Sequence, residues 1–337
     1  MVKRALIIAL CAAACGDGEE MGAPPYAMLS AYGFFTGDGH TQEPVSGVIP
    51  FTVNASLFAD FTDKHRFLSL PEGGKITYSA DGNWGFPTGS FIIKTFAVGS
   101  RMIETRVLIK EASGWLPTTY LWNDAQTEAT LILIGARVPV TVRDESGAEH
   151  AIEYRVPNQN QCFGCHGTRG TTDVLGLRTR QMNKDHDYGA GPVNQIDHLV
   201  SLGKFEGSLP ATRSRLPDPY VAGEVAPRAR AWLEANCAHC HNPNGAAGST
   251  NLFLNVDVTN PIDLGVCRLP NAAGAGTGGR RFDVVPGLPD DSIMTFRIAS
   301  TDPSIKMPEM PIQLVDQRGV DIVTQWIAGM TPTGCGN

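Results

Sequence analysis

Two short strings with the same spacing constrain this chain more than any other feature of its sequence. The first, CFGCH, occupies positions 162–166, and the second, CAHCH, occupies positions 237–241. Each has two cysteines three positions apart and a histidine directly after the second cysteine. This C-x-x-C-H pattern is the attachment motif of c-type haem. A chain with two such strings must fold so that each one can border a bulky cofactor.

The chemistry of haem attachment gives a role to each residue of the strings. Two thiols reach the two vinyl groups of one haem, and the following histidine is held beneath the iron as an axial ligand. The sequence therefore predicts two covalently bound haems of the c type. The expected attachment residues are Cys162 and Cys165 for the first haem and Cys237 and Cys240 for the second, with His166 and His241 as iron ligands.

Two other uses of paired cysteines fit these strings less well. The two C-x-x-C units of a structural zinc site normally lie about 15–20 residues apart, whereas positions 162 and 237 are much further apart. A thioredoxin-like redox motif lies at a helix start within a β–α–β unit, and neither string has that setting. Zinc remains as the minor alternative to haem.

The N-terminal segment is typical of a targeting signal. Lys3 and Arg4 precede an apolar run over positions 5–14, which is too short to span a bilayer as a helix. Small residues before Cys15 predict lipoprotein cleavage, after which this cysteine is the acylated first residue. A plain secretory signal cut nearby is the alternative. We therefore expect a signal peptide over 1–14, a tether over 15–25, and a lipid-anchored protein of the bacterial periplasm or cell envelope.

Composition argues against nucleic acid as a partner. Of 337 residues, 42% are apolar and 18% are charged, as in ordinary folded proteins. The formal net charge is −7, and no long run of lysine or arginine occurs. Because nucleic acids are bound by basic surfaces, we expect no such partner. No other segment is long and apolar enough to be a membrane span, so the lipid is the only expected membrane contact.

The stretch from about residue 26 to 157 has the pattern of β-structure. Runs rich in β-branched and aromatic residues alternate with turn-forming sequences, which predicts an antiparallel sandwich or barrel-like domain. The predicted strands cover 91–96, 102–109, 130–134, 138–142 and 151–156. The segment 158–222, which carries the first string, follows at once. It contains one predicted helix, near 193–202.

The last part, 223–337, has a different pattern. Apolar residues at helical spacing predict a helix over 228–236 that leads into the second string, and another over 319–330. A loop with Met307 followed by Pro308 lies between them. Helix, haem string, Met-Pro loop and closing helix together form the layout of a one-haem cytochrome domain.

Residues 223–330 resemble the class I cytochrome c family. The resemblance is carried by the strings at 229–241, 285–292, 306–308 and 323–327. It implies an all-α domain in which His241 is the proximal iron ligand and Met307 the distal one. Packing is the alternative role for Met307, and Met310, which also precedes a proline, is its competitor. The expected fold is therefore α+β: an antiparallel β sandwich or barrel-like domain followed by an all-α class I cytochrome c domain.

Two further resemblances concern the whole chain and the first string. From about residue 26 to 330 the chain is similar to a family of diheme c-type cytochrome lipoproteins of bacterial envelopes, in strings at 29–33, 87–90, 154–158 and 236–241. The string at 86–94, followed by strands and then C-x-x-C-H, is similar to the beta-fold cytochrome c-prime family. That similarity implies a first haem held by a β-domain, with an open or weakly filled distal side.

Several cysteine, methionine and histidine residues remain without a fixed role. Met182 is the preferred sixth ligand of the first haem because it is the nearest suitable thioether, and the alternatives are His186, His198, His40 and His65. Cys267 and Cys335 lie outside the haem strings. An oxidising compartment favours a disulfide between them, but two free thiols are equally compatible with the sequence.

These features predict an electron carrier more readily than a catalyst. In the leading hypothesis, a diheme cytochrome exchanges electrons with a redox partner protein, such as a dehydrogenase, a reductase or another cytochrome. In the alternative, an open first haem acts as a peroxidase-like enzyme or binds a small gaseous ligand, and the second haem feeds it electrons. A peroxidase would also need an acid/base group over the iron, and the sequence identifies none. A third hypothesis is a binding module in which the β-domain docks a dehydrogenase.

Overall fold

A computed structural model of the chain describes residues 23–168, 171–271, 273–332 and 334–336. The predicted signal peptide, Cys15 and most of the tether lie outside these ranges. No helix within them is long and apolar enough to cross a bilayer.

A six-stranded antiparallel sheet dominates the first half of the described chain. Its strands pair in the order in which they occur, so each strand lies beside the one that precedes it. They are β1 (Val48–Pro50), β2 (Asp63–Ser69), β3 (Phe91–Val98), β4 (Arg101–Glu111), β5 (Gly114–Trp122) and β6 (Ala129–Ile132). Alternate residues of a strand face opposite sides, and both faces of this sheet are covered.

The two faces of the sheet are covered by different parts of the chain. Ile93 and Tyr120 lie on one face and pack against the N-terminal Leu29. Ile92 and Leu108 lie on the other face, in a core that is shared with a helical segment from later in the chain. This segment contributes Leu177, Met182, Ile196 and Leu199. The helical segment therefore lies where a sandwich would have its second sheet.

Two strands after the sheet form a separate hairpin. β7 (Ala136–Arg143) pairs only with β8 (Glu149–Val156), and its apolar side chains pack against Phe96 and Ile103 of the sheet. Within the described residues β1 and β6 are edge strands, so the sheet is open. The expectation of a sandwich or barrel-like domain is therefore wrong. Strand patterns in the sequence show which residues alternate, but not whether the edges close.

The segment that carries the first string contains short elements. They are α1 (Gln159–His166), β9 (Gly167–Thr168), β10 (Thr171–Thr172), α2 (Thr179–Met182), β11 (Asp185–Asp187), β12 (Pro192–Asn194) and α3 (Gln195–Ser201). α3 matches the helix that was predicted near 193–202. α1 contains the whole first string.

The C-terminal part is not the all-α class I cytochrome c domain that the sequence predicted. Its α-helices within the described residues are α4 (Val225–Asn236), α5 (Ile293–Ile298) and α6 (Gln317–Ala328), of 12, 6 and 12 residues. Between α4 and α5 the described chain has only turns, isolated bridges and short 3-10 segments. Helical periodicity located α4 and α6 correctly, but the Gly- and Pro-rich stretch between them cannot continue a helix.

Candidate functional site

The first string lies on a helix whose start is fixed by its own side chains. The Asn158 side chain accepts from the Gln161 backbone N–H at 2.9 Å, and the Gln161 side chain accepts from the Asn158 N–H at 3.0 Å. This reciprocal cap starts α1 two residues after β8 ends. Cys162 is buried and hydrogen-bonds to Thr119 of β5, and burial raises the pKa of its thiol. The helix is thus held against the sheet.

A cavity of about 510 Å³ opens beside this helix. Pockets for small molecules and cofactors commonly enclose 300–1,000 Å³. Cys162, Cys165 and His166 form part of its wall. Its other walls come from the sheet, from the segment after the first string, from the end of α4 with the residues beyond it, and from positions 310–312. The sequence did not show that these distant segments meet.

The histidines of both strings have the same local arrangement. His166 Nδ1 lies 2.9 Å from the Asp173 carbonyl oxygen, and His241 Nδ1 lies 3.3 Å from that of Leu252. A carbonyl oxygen can only accept, so each Nδ1 carries the proton and each Nε2 keeps its lone pair. Burial lowers the pKa of both imidazoles to about 4, which keeps them neutral. A neutral imidazole with its Nδ1–H held by the backbone is the form in which histidine ligates a metal.

The second string follows α4 directly and is anchored in the C-terminal core. Cys237 is buried with Leu233 of α4 and Val323 of α6, and burial raises the pKa of its thiol to about 12. Trp232 Nε1 donates to Asp316 Oδ2 at 2.7 Å, which joins α4 to the start of α6. The second string is therefore held by the packing of these two helices.

The two strings meet in space. The Cys165 side chain lies close to those of Cys240 and His239, and these neighbours lower the pKa of Cys165. The second attachment cysteine of each string therefore lies beside that of the other. Nothing in the spacing of the strings along the sequence predicted this contact.

Met307 and Met310 belong to one loop but contact different regions. Met307 packs against the core that contains Cys237, whereas Met310 lines the cavity beside the first string. We call residues 306–314 the methionine loop. Lys306 Nζ donates to the carbonyls of Met310 at 2.6 Å and Ile312 at 3.1 Å, which folds the loop back on itself.

Asp60 ties the methionine loop to the first half of the chain. The whole residue, backbone and side chain together, is only 2% exposed. One carboxylate oxygen accepts from the backbone N–H groups of Gln313 at 2.9 Å and Leu314 at 2.8 Å. Burial raises the pKa of this carboxyl group. The loop that bears both methionines is therefore attached to residues beside the sheet.

Met182, the preferred sixth ligand of the first haem, does not reach the cavity. It is 1% exposed and packs among Ile196 and Leu199. His198 stacks on Tyr188 with ring centroids 3.7 Å apart, and His186 contacts the same ring edge-on with centroids 4.7 Å apart. None of these residues is part of the described wall of the cavity, and neither are His40 and His65. The methionine in that wall is Met310.

Cys267 and Cys335 form a disulfide, with their Cα atoms 5.0 Å apart. The bond joins the C-terminal tail to the irregular segment between α4 and α5. Cys162, Cys165, Cys237 and Cys240 are free thiols.

A row of three basic residues crosses the sheet face that lines the cavity. Arg66 of β2 lies opposite Lys94 of β3, which lies opposite Arg106 of β4, and all three line the cavity. Arg106 is paired with the buried Glu104 through hydrogen bonds of 2.9 and 2.6 Å. Burial and the neighbouring Arg66 hold the pKa of Lys94 well below its usual range. Cations on alternate strand positions were visible in the sequence, but not their alignment.

The comparisons with known proteins and the search for metal clusters found nothing further. No protein-family model, no curated protein and no solved structure matches the chain. In the part of the chain that the structure describes, no three or more His, Cys, Asp or Glu side chains are grouped to hold a metal ion.

Proposed function

We propose that this protein is a c-type cytochrome with two covalently attached haems, which transfers electrons in the bacterial cell envelope. The observation that carries the proposal is the pair of C-x-x-C-H strings, each with its histidine Nδ1 held by a backbone carbonyl. The two imidazoles share this arrangement although the strings lie in different parts of the chain. The proposal is independent of the fold family of the C-terminal part.

The residues around the first string fit a haem. Cys162 and Cys165 offer two thiols from one helix, and His166 lies in the same cavity wall with Nε2 free. The cavity of about 510 Å³ has a size suited to a large planar cofactor, and its sheet wall combines apolar side chains with basic ones. A haem bound there would supply a one-electron iron couple.

At the second string the chain supplies thiols, an imidazole and a thioether. Cys237 and Cys240 are free, His241 is neutral, and Met307 packs against the same core as Cys237. We assign Met307 as the distal ligand of the second iron. A thioether favours the ferrous state and raises the reduction potential. Pro308 restricts the backbone directly after Met307 and stiffens the loop that carries it.

The contact between the strings supports electron transfer more than independent roles. The side chains of Cys165 and Cys240 lie close together, so the attachment edges of both haems would be adjacent. Electron tunnelling decays steeply with distance, and adjacent cofactors exchange electrons rapidly. The second haem would exchange electrons with a redox partner protein, and the first would relay them.

A second candidate function is small-ligand chemistry at the first haem. It is favoured by one observation: the preferred ligand Met182 is buried away from the cavity. If no other side chain takes the sixth position, the first iron is open. Carbon monoxide added to the reduced protein would then bind at one haem only. Binding at neither haem would leave electron transfer as the sole function.

Haem content tests the proposal directly. The chain is produced with a haem-attachment system, and covalent haem is measured by pyridine haemochrome and intact mass. We expect two haems per chain in the wild type. The Cys162→Ala/Cys165→Ala and Cys237→Ala/Cys240→Ala variants should each hold one. The matched control, Cys267→Ala/Cys335→Ala, should hold two, and a wild type without covalent haem would refute the proposal.

Anchoring and location complete the proposed function. Cys15 lies outside the described residues, and we propose it as the lipid-bearing N-terminus of an envelope protein. The mass of the N-terminal peptide tests this, because an unmodified Cys15 or cleavage at another position would contradict it.

A further inference from the structure

The three cations of the row lie closer together than charge alone would favour. Arg66, Lys94 and Arg106 occupy directly opposed positions on three neighbouring strands. Opposed side chains of an antiparallel pair are about 5 Å apart, and like charges in that position destabilise a sheet. Three basic residues in a line on a cavity wall therefore need an explanation other than the stability of the sheet.

Only one member of the row has an acidic partner. Arg106 is neutralised by Glu104, which also accepts from the Tyr154 hydroxyl at 2.7 Å. Arg66 donates to the Ser56 hydroxyl at 2.9 Å and to a backbone carbonyl at 3.3 Å, so both of its partners are neutral. In the described structure Lys94 makes no ion pair or hydrogen bond, and its Nζ lies 4.7 Å from the centre of the Phe96 ring.

The acids in the cavity wall are occupied elsewhere. Asp60 accepts from the methionine loop, and Asp173 accepts from Asn83 and from the Val174 N–H. Glu234 pairs with Arg178 at 3.1 Å and accepts from the Val256 N–H. Lys64, the next cation on β2, donates to the Thr62 carbonyl. None of these acids faces Lys94 as a partner.

We infer that Arg66, Lys94 and Arg106 form an anion-binding site for carboxylate-like oxyanions at the cavity beside the first string. The inference rests on the proposed function and deepens it. Arg106 is paired with Glu104, whereas Arg66 and Lys94 have no acidic partner, so their donor groups remain available to an oxyanion. Two sources have this chemistry: the two propionate carboxylates of a haem attached at Cys162 and Cys165, or a small free oxyanion that enters the cavity.

A purely structural role for Lys94 gives the opposite expectation. An ammonium group without an anionic partner is costly to enclose, so replacement by an apolar side chain of similar length would be neutral or stabilising and would change nothing else. An anion site instead loses a charge-assisted contact when Lys94 is replaced. The two roles therefore separate in binding and redox measurements rather than in stability.

The test uses the holoprotein and four chains: wild type, Lys94→Met, Lys94→Arg, and Lys75→Met as a control that removes an exposed lysine. Haem content is measured first in each. Inorganic nitrite, a small planar oxyanion, is then titrated by calorimetry, and both haem potentials are measured by spectroelectrochemistry. Because calorimetry does not depend on haem, it measures nitrite binding to the three basic residues in any folded chain.

Each result decides the inference. Nitrite binding that Lys94→Met weakens by about tenfold or more, with Lys94→Arg and Lys75→Met close to wild type, supports a free oxyanion. No nitrite binding, together with one potential that falls in Lys94→Met alone, supports the propionates, because loss of a nearby cation favours ferric iron. Equal nitrite behaviour and equal potentials in all four chains would overturn the site.

Failure of the proposed function would be visible separately. A wild type without covalent haem refutes the cytochrome proposal. In such a chain no haem propionate can occupy the site formed by Arg66, Lys94 and Arg106. In that chain nitrite must bind in a manner that depends on Lys94. If it does not, the anion site is also refuted.

Discussion

Removing the Asp60 carboxylate should detach the methionine loop from the rest of the protein. In Asp60→Ala the N–H groups of Gln313 and Leu314 lose an acceptor that lies 2.8–2.9 Å away. Hydrogen bonds to charged groups contribute about 1.5–3 kcal/mol each. Asp60 also has φ of 49°, a left-handed conformation that costs alanine about 1–2 kcal/mol. The substitution also removes the cost of burying a carboxylate, which offsets part of these losses. We therefore expect Asp60→Ala to lower the free energy of unfolding by about 3–5 kcal/mol.

Asp60→Asn is the matched control for this substitution. Its amide oxygen can still accept from the loop, it tolerates a left-handed backbone, and a neutral group is easier to bury than a carboxylate. We expect its cost to stay below about 1 kcal/mol. Both variants are compared with wild type by urea unfolding, monitored by circular dichroism at neutral pH. A loss below about 1 kcal/mol in Asp60→Ala would refute the proposed clamp.

Three further predictions concern the C-terminal half. Met307→Ala should lower the potential of the second haem and open it to added ligands, whereas Met310→Ala should leave that potential nearly unchanged. Redox titration of both variants tests this. A shift in Met310→Ala alone would show that the ligand assignment is wrong. Gly319→Ala places a methyl group against the buried Trp232 ring and should cost about 3 kcal/mol or more in thermal or urea unfolding; an unchanged stability would contradict the packing of α4 on α6. Burial raises the pKa of Asp283 from 3.8 to about 6. The folded state then binds the proton more tightly, so this group's contribution is full below pH 3.8 and is lost as the pH rises to 6. Asp283→Asn should therefore stabilise the protein above pH 6, by up to about 3 kcal/mol, and should remove that part of the pH dependence; equal pH profiles of stability would contradict it.

The regular elements with strong apolar patterns were predictable from the sequence. The strands predicted at 91–96 and 102–109 correspond to β3 (Phe91–Val98) and β4 (Arg101–Glu111), and the helix predicted over 228–236 lies within α4. β3 and β4 bury residues on both faces of the sheet, and α4 packs against the C-terminal core, so each element shows in the sequence as a concentration of apolar residues. The positions of these three elements along the chain were therefore predicted correctly.

β2, a strand whose cavity-facing positions carry charge, was missed. β2 (Asp63–Ser69) places Lys64 and Arg66 on the face that continues with Leu68, so its apolar alternation is interrupted where the site begins. The missed signal was the pair of basic residues, Lys64 and Arg66, at successive positions of one face of β2. Functional sites are where pattern rules are expected to fail.

The arrangement of the elements could not be derived from local patterns. The sandwich expectation failed because a helical segment with Leu177 and Ile196, rather than a second sheet, covers one face of the sheet. The all-α expectation failed because resemblance in short strings says nothing of the long loops between them. The contact between Cys165 and Cys240 joins segments far apart in sequence, and only tertiary packing brings them together.

Electron uptake by the purified holoprotein tests the central claim most directly. The account predicts two reversible one-electron steps per chain in a spectroelectrochemical titration, with one step lost in each of the Cys162→Ala/Cys165→Ala and Cys237→Ala/Cys240→Ala variants. A chain that takes up no electrons reversibly, or one whose redox steps survive in both variants, would contradict it.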